Sequence, residues 1–424
     1  MKFTWFNLMP WPHLPDGFRE KHRSVWVDLP NSMYDPREGN RVYHEYLDQL
    51  EYADSLGFDG IGCNEHHQNG YGLMPSPNII AAALARRTSR AAIAVIGNSI
   101  ALYNPPIRVA EEFAMLDVIS GGRLLAGFPV GTPMDTNFCY GQIPALTRDK
   151  YYEAHDLIMR AWREREPFAF DGKYTQLRHV NLWPRPIQEP HPPIYIPGGG
   201  SVETWEWCAR MDYNYSYLSF GGYIAGQAML EGFFEEVGKL GKDESPYRGA
   251  FAQVMAVADT DQEAEELYAE HILYFFNRCL HVYPGFSDPP GYRTIKTIQG
   301  GKLDQLRAEA QRVYATLTWK DLVERGFVIA GSPATVRERC EDMIKRLHVG
   351  HIFCLFQSGN MPDWKTRRST RLFAEKVMPH LKDLWPEWKN DNRWWCKPYD
   401  ARVRPEDTFP GAERDARAHT SRNS

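Results

Sequence analysis

Eight short apolar runs recur along the chain, each followed by a stretch of helical spacing, and this alternation limits the fold more than any single motif. The runs cover residues 3–9, 58–64, 91–102, 123–128, 193–197, 214–220, 250–258 and 351–357. Helices between consecutive strands act as crossovers and make neighbouring strands parallel. Eight such units in order predict a (β/α)8 TIM barrel with loop insertions. The competing arrangement is a doubly wound sheet. Its dinucleotide fingerprint, GxGxxG, follows none of the runs, and the glycines of Gly221-Gly222-Tyr223-Ile224-Ala225-Gly226 stand in the wrong register.

The punctuation between runs supports the same units. Val42, Tyr46, Leu50 and Ala53 share one face of a helix expected over 40–56, and Gly57 ends it. A helix over 332–348 opens with Ser332 as N-cap and Pro333 behind it. Residues 168–177 predict a hairpin turning at Asp171-Gly172. Residues 10–39 are a Pro-rich loop, residues 281–326 an insertion rich in Pro, Gly and Tyr, and residues 1–384 one barrel domain. The tail, 385–424, is expected to be partly extended or disordered.

Bulk composition narrows the function. Of 424 residues, 49 are basic and 54 acidic, a net charge of −5 that argues against non-specific binding to nucleic acid or a membrane surface. Seven scattered cysteines without CxxC spacing indicate neither a zinc ribbon nor a disulfide framework. No uncharged run approaches the roughly 20 residues of a membrane span, and residues 1–6 lack a signal-peptide core, so a cytoplasmic location is expected.

Four features carry chemistry. Glu65-His66-His67 closes the second run, at the strand end where barrel enzymes act. Adjacent imidazoles without HExxH spacing suit proton transfer or cofactor contact better than zinc, with polar packing as the alternative, and no metal is expected. Gly198-Gly199-Gly200-Ser201 stands between the fifth run and a helix start. Bare backbone N–H groups at a helix N-terminus suit an anion, and a tight turn with a capping serine is the plainer reading. Arg148, opening the helix beyond Gly131-Thr132, either closes the same anion pocket or is a solvated surface arginine. Gly97-Asn98-Ser99-Ile100 interrupts the third run, as a bulge, a close ligand approach or an early strand end.

With these motifs in order the chain resembles the bacterial-luciferase-like family of flavin-dependent oxidoreductases. The resemblance rests on Glu65-His66-His67 and Gly97-Asn98-Ser99-Ile100, on Asn104-Pro105-Pro106-Ile107 running on to Leu116-Asp117, on Ser120-Gly121-Gly122-Arg123, and on Arg148 with the glycine turn and Ser201-Val202-Glu203-Thr204-Trp205. It covers roughly residues 1–260, with a looser fit through 384. It implies a TIM barrel that binds FMN as FMNH2, supplied by a separate flavin reductase. With O2 it would oxygenate an apolar organic substrate through a flavin hydroperoxide, in a homo-oligomer, dimer or tetramer. By position, His66 matches the catalytic histidine; Asn98, Ser99 and Ile100 lie where the flavin ring packs, with Ser99-Ile100 at the site of a non-prolyl cis peptide. Gly131, Thr132, Arg148, Gly199, Gly200 and Ser201 are then the remaining cofactor-binding positions. The family's Cys-Arg-Gly after strand four is here Pro129-Val130-Gly131, which removes one phosphate arginine. Two other classes remain open: a deazaflavin-dependent dehydrogenase on the same barrel, and a non-catalytic flavin-binding protein.

Overall fold

In the computed structural model, residues 1–131, 134–218, 220–287, 291, 297–298, 314 and 316–399 are described. Among these residues eleven strands form: β1 (Lys2–Phe6), β2 (Gly60–Cys63), β3 (Ala92–Val95), β4 (Leu124–Gly127), β5 (Phe168–Asp171), β6 (Gln176–Val180), β7 (Ile194–Gly198), β8 (Asn214–Tyr217), β9 (Gly249–Val257), β10 (Val328–Gly331) and β11 (His351–Leu355). Eight close a ring in the order β1, β2, β3, β4, β7, β8, β9, β11 and back to β1. Every pair in the ring is parallel. These are the eight apolar runs, each facing strand partners inside and helices outside. Most of the ring residues are consequently buried on both faces.

The expected (β/α)8 barrel is therefore the fold, with a ninth strand that the sequence reading left unassigned. β10 pairs with the far half of β9, Val328 beside Val254 through Gly331 beside Val257. β9 is nine residues long, so its first half joins β8 and β11 while its end is left for another partner. The expected hairpin forms as the antiparallel β5–β6 pair outside the ring. Most of the expected insertion, and residues 400–424 of the tail, lie outside the described residues.

Local signals account for the helices. Pro36–Ser55 buries Val42, Tyr46, Leu50 and Ala53, the face its spacing predicts. It starts a turn earlier than residue 40, because Asp35 caps it by accepting from the Arg37 N–H and Pro36 fits the first turn. Gly57, at φ +96°, takes the left-handed position beyond its end. Ser332 caps Pro333–Leu347 by accepting from the Thr335 N–H.

The strand starts are sealed by the beginning of the tail. Trp394 is buried, its indole N–H donates to the Asp212 carbonyl at 2.7 Å, and Arg248 stacks over its ring. Tyr195, near the start of β7, donates to the Trp394 carbonyl, and Trp385 donates to that of Val349 just before β11. Residues 385–399 thus cover the end of the barrel opposite the strand-end loops.

Candidate active site

Because the ring is parallel, the segments following β2, β3, β4 and β7 open on one mouth. The candidate residues among those described lie there. Strand pairing in β2 stops at Cys63, so 64–67 are loop and the alternation of strand faces does not apply to them. The two imidazoles nevertheless diverge. His66 Nδ1 lies 2.8 Å from Asp135 Oδ2, in the short helix Met134–Cys139 beyond β4. Tyr71 packs edge-on to the His66 ring at 4.5 Å, and Trp26, from the Pro-rich loop, lies nearly parallel to it at 6.5 Å. His67 turns the other way, donating from Nε2 to Glu65 Oε1 at 2.7 Å and accepting from the Tyr140 hydroxyl at 3.3 Å.

Glu65 ties β2 to the irregular end of β3. Its Oε2 accepts the Ser99 backbone N–H at 2.8 Å, and Tyr103 and Asn98 approach the carboxylate at 3.4 and 3.5 Å. Burial, reinforced by the Glu65 charge, pushes the Tyr103 phenol up and keeps it a neutral donor. Asn98 and Ile100 are fully buried and Ser99 nearly so, with Ile100 opening a 3-10 turn, Ile100–Leu102. Gly131, at φ +79°, stands so close to Ser99 that a Cβ would lie 3.2 Å from its side chain. Thr132 falls outside the described residues.

The non-prolyl cis peptide is at Ile96–Gly97, not at Ser99–Ile100 as expected. Here β3 and β4 run backbone against backbone. A Cβ on Gly97 would lie 2.0 Å from the Gly127 carbonyl oxygen, so the irregular bond falls where both strands lack side chains. Asn98 N–H then donates to that same carbonyl at 3.0 Å.

A second group gathers at the β7 end. Arg148, in the helix Pro144–Arg163, donates to Ser201 Oγ at 3.2 Å and Thr204 Oγ1 at 3.3 Å. Gly200 adopts φ +101° immediately before Ser201, the N-cap of Val202–Met211. Ser201 in turn donates to Glu203 at 2.8 Å, a negative charge beside the cradle. The helix Met134–Cys139 links both groups: Asn137 donates to the Gly131 carbonyl at 3.2 Å and accepts from Thr147, the neighbour of Arg148, at 3.3 Å.

Asp135, Glu65 and Thr204 were not assigned roles from sequence. Thr204 had a local signal, standing one helical turn beyond Ser201. Asp135 had only its place in the segment after β4. Cys63 is fully buried, and burial pushes its thiol up to about 12, as suits an inert structural thiol.

Three buried acceptor oxygens at this mouth have no hydrogen-bond donor among the described residues: Asn64 Oδ1, Asn98 Oδ1 and Asp135 Oδ1. Buried polar atoms of native proteins are almost always paired, so each of the three is open to a donor from water or from a ligand.

A closed parallel ring, with His66, Asp135 and the Arg148–Ser201–Thr204 cluster at its strand ends, defines a TIM-barrel protein. Residues 23–349 match the family described as luciferase-like monooxygenase, and the chain belongs to that family. Limonene 1,2-monooxygenase of Rhodococcus erythropolis is 27% identical over 269 residues, 60% of this chain and 65% of that one. The oxygenating constituent of 3,6-diketocamphane monooxygenase from the CAM plasmid of Pseudomonas putida, solved in complex with FMN, superposes with a TM-score of 0.69 at 20% identity, over 89% of this chain and 98% of that one. An F420-dependent secondary alcohol dehydrogenase shares the fold with a TM-score of 0.62 at 18% identity, over the same shares.

Proposed function

We propose that the protein is an FMNH2-dependent monooxygenase that uses O2 to oxygenate an apolar organic substrate, with reduced flavin supplied by a separate reductase in the cytoplasm. The observation that carries this reading is the cradle formed by Arg148, Ser201 and Thr204 with the glycine turn, on the same mouth as His66. A guanidinium, two hydroxyls and a helix N-terminus suit a phosphate. Ser201, whose hydroxyl donates to Glu203 here, would turn it to accommodate the phosphate.

The residues fit a flavin mononucleotide. Arg148, Gly199, Gly200, Ser201 and Thr204 would hold the phosphate, and the unpaired oxygens of Asn98 and Asn64 would meet ring or ribityl donors. Asn98, Ser99, Ile100 and Gly131 would wall the ring. Reduced flavin, when bound, supplies the electrons that activate oxygen. His66 holds or moves a proton at its Nε2. Trp26 from the Pro-rich loop and Tyr71 from the segment after β2 would keep water from the imidazole.

Deazaflavin-dependent hydride transfer is a second reading, favoured by the likeness in fold to the F420-dependent dehydrogenase. Equilibrium binding of FMNH2 and of the deazaflavin, measured side by side under anaerobic conditions, separates the two. The first reading expects micromolar or tighter FMNH2 binding and oxygen uptake coupled to product in a panel of apolar substrates. Arg148→Ala should weaken FMN binding roughly 10- to 100-fold, the worth of about 1.5–3 kcal/mol of charge-assisted hydrogen bonding. Preference for the deazaflavin would overturn the proposal.

A further inference from the structure

Asp135 is fully buried, yet no Lys or Arg contacts it among the hydrogen bonds and ion pairs of the described residues. Its Oδ2 instead gathers donors from one loop: His66 Nδ1 at 2.8 Å, Asn69 Nδ2 at 3.1 Å and, more weakly, the His67 N–H at 3.4 Å. Asn69 is itself fixed, its Oδ1 accepting the backbone N–H groups of Tyr71 and Gly72. The His66 backbone N–H donates to Met74, and Tyr71 packs against the ring. The imidazole is therefore held in one orientation from three sides.

That orientation has a chemical consequence. An ionised carboxylate only accepts hydrogen bonds, so the nitrogen facing Asp135 carries the proton. The neutral ring must then leave Nε2 bare, and no described residue hydrogen-bonds Nε2. We propose that Asp135 is the positioning residue of this site: it fixes His66 in the Nδ1–H tautomer, presents Nε2 to the barrel mouth as proton acceptor, and stabilises the imidazolium after Nε2 is protonated. The proton is taken by the Nε2 lone pair and returned from the same atom, and Asp135 stays ionised throughout, as in other carboxylate–imidazole pairs. This rests on the functional reading above only in placing the reacting groups at Nε2. The other titratable groups facing the pair are Tyr71, Cys139 and, on the same loop, His67 and Glu65. Burial, aided by the Asp135 charge, pushes the Tyr71 phenol and the Cys139 thiol up. Beyond them His67 is engaged by Glu65 and Tyr140.

The test uses full-length protein labelled with 15N-histidine, and needs no substrate. Long-range proton–nitrogen spectra of the cofactor-free protein should show His66 with a protonated Nδ1 and a bare Nε2 above its titration midpoint. Asp135→Asn should move the neutral ring toward the Nε2–H tautomer. It should also slow the reaction of protein-bound FMNH2 with oxygen by roughly 100-fold or more, the scale of general acid–base assistance, while FMN affinity stays within about twofold. Asp135→Glu, which keeps the carboxylate, should restore the tautomer and part of the rate. A wild-type ring in the Nε2–H form overturns the proposal, as does an Asp135→Asn protein with unaltered tautomer and pH–rate profile. A wild-type protein that binds no FMN overturns the functional reading instead, and the spectra still decide the pairing.

Discussion

Gly97 lacks a side chain because the Gly127 carbonyl already occupies the place where a Cβ would project. The clash is with backbone on a neighbouring strand, so no rotamer change relieves it. Gly97→Ala should cost 2 kcal/mol or more, on the order of severe overpacking, read as a lower urea midpoint. Unchanged stability would mean that β3 and β4 can part. His66 makes the opposite case, since its ring adds little to the core. His66→Ala should lower turnover about 100- to 10,000-fold and leave FMN affinity within about twofold. Retained turnover would favour the non-catalytic flavin-binding reading. His66, Arg148 and the glycine turn were legible in the chain because their type and their place at a strand end or helix start are local facts. Asp135 was not, because its contact with His66 bridges two different strand-end loops, 69 residues apart.

Among the elements, the strands show how far hydrophobic patterning reaches. It located all eight strands of the ring but extended several into loops. Residues 96–102 remain buried after pairing ends at Val95, with backbone groups satisfied by Cys63, Gly127 and Glu65. β10 escaped notice because four residues between an insertion and a helix carry too little pattern to distinguish them from a loop. The tail carries no such pattern. Residues 385–399 hold only the 3-10 turn Pro386–Trp388 as regular structure, and their place over the strand starts rests on Trp385 and Trp394. Trp394 provides the test of that role. Trp394→Ala removes a buried indole, its hydrogen bond to Asp212 and the faces over which Arg248 and Arg393 lie. About 3–5 kcal/mol of stability should go with it, while FMN affinity at the opposite mouth is retained. An equal loss of affinity would show that the two ends are coupled.

Across the whole molecule, the same burial that closes the barrel makes it sensitive to acid. His351 is fully buried at the base of the ring, 3.0 Å from the Tyr195 hydroxyl and 3.1 Å from Thr4 Oγ1. Burial, with help from the charges of Lys2, the amino terminus and Lys382, holds its pKa well below the ordinary 6.5. Burial lowers His191, His271 and His281 as well. In the unfolded chain these rings take up protons near pH 6.5, and in the fold they do so only at lower pH. Their contribution to stability is thus complete above about 6.5 and is lost as pH falls toward the folded values, at up to about 1.4 kcal/mol per pH unit for each ring. Urea unfolding between pH 7.5 and 5.5 should show that decline, and His351→Gln should make its slope shallower. A slope equal to the wild type's would exclude His351 as a source.

No helix among the described residues is long and apolar enough to cross a membrane. The chain by itself determined the number and order of the barrel strands, and so which loops share a mouth, because apolar periodicity and helix-end signals act within a few residues of one another. Only the closed ring decided which side chains meet there. Asp135 on His66, Glu65 on Ser99, Arg148 on Ser201 and Trp394 under the strand starts are contacts between distant segments, set by the geometry of closure and not by local spacing.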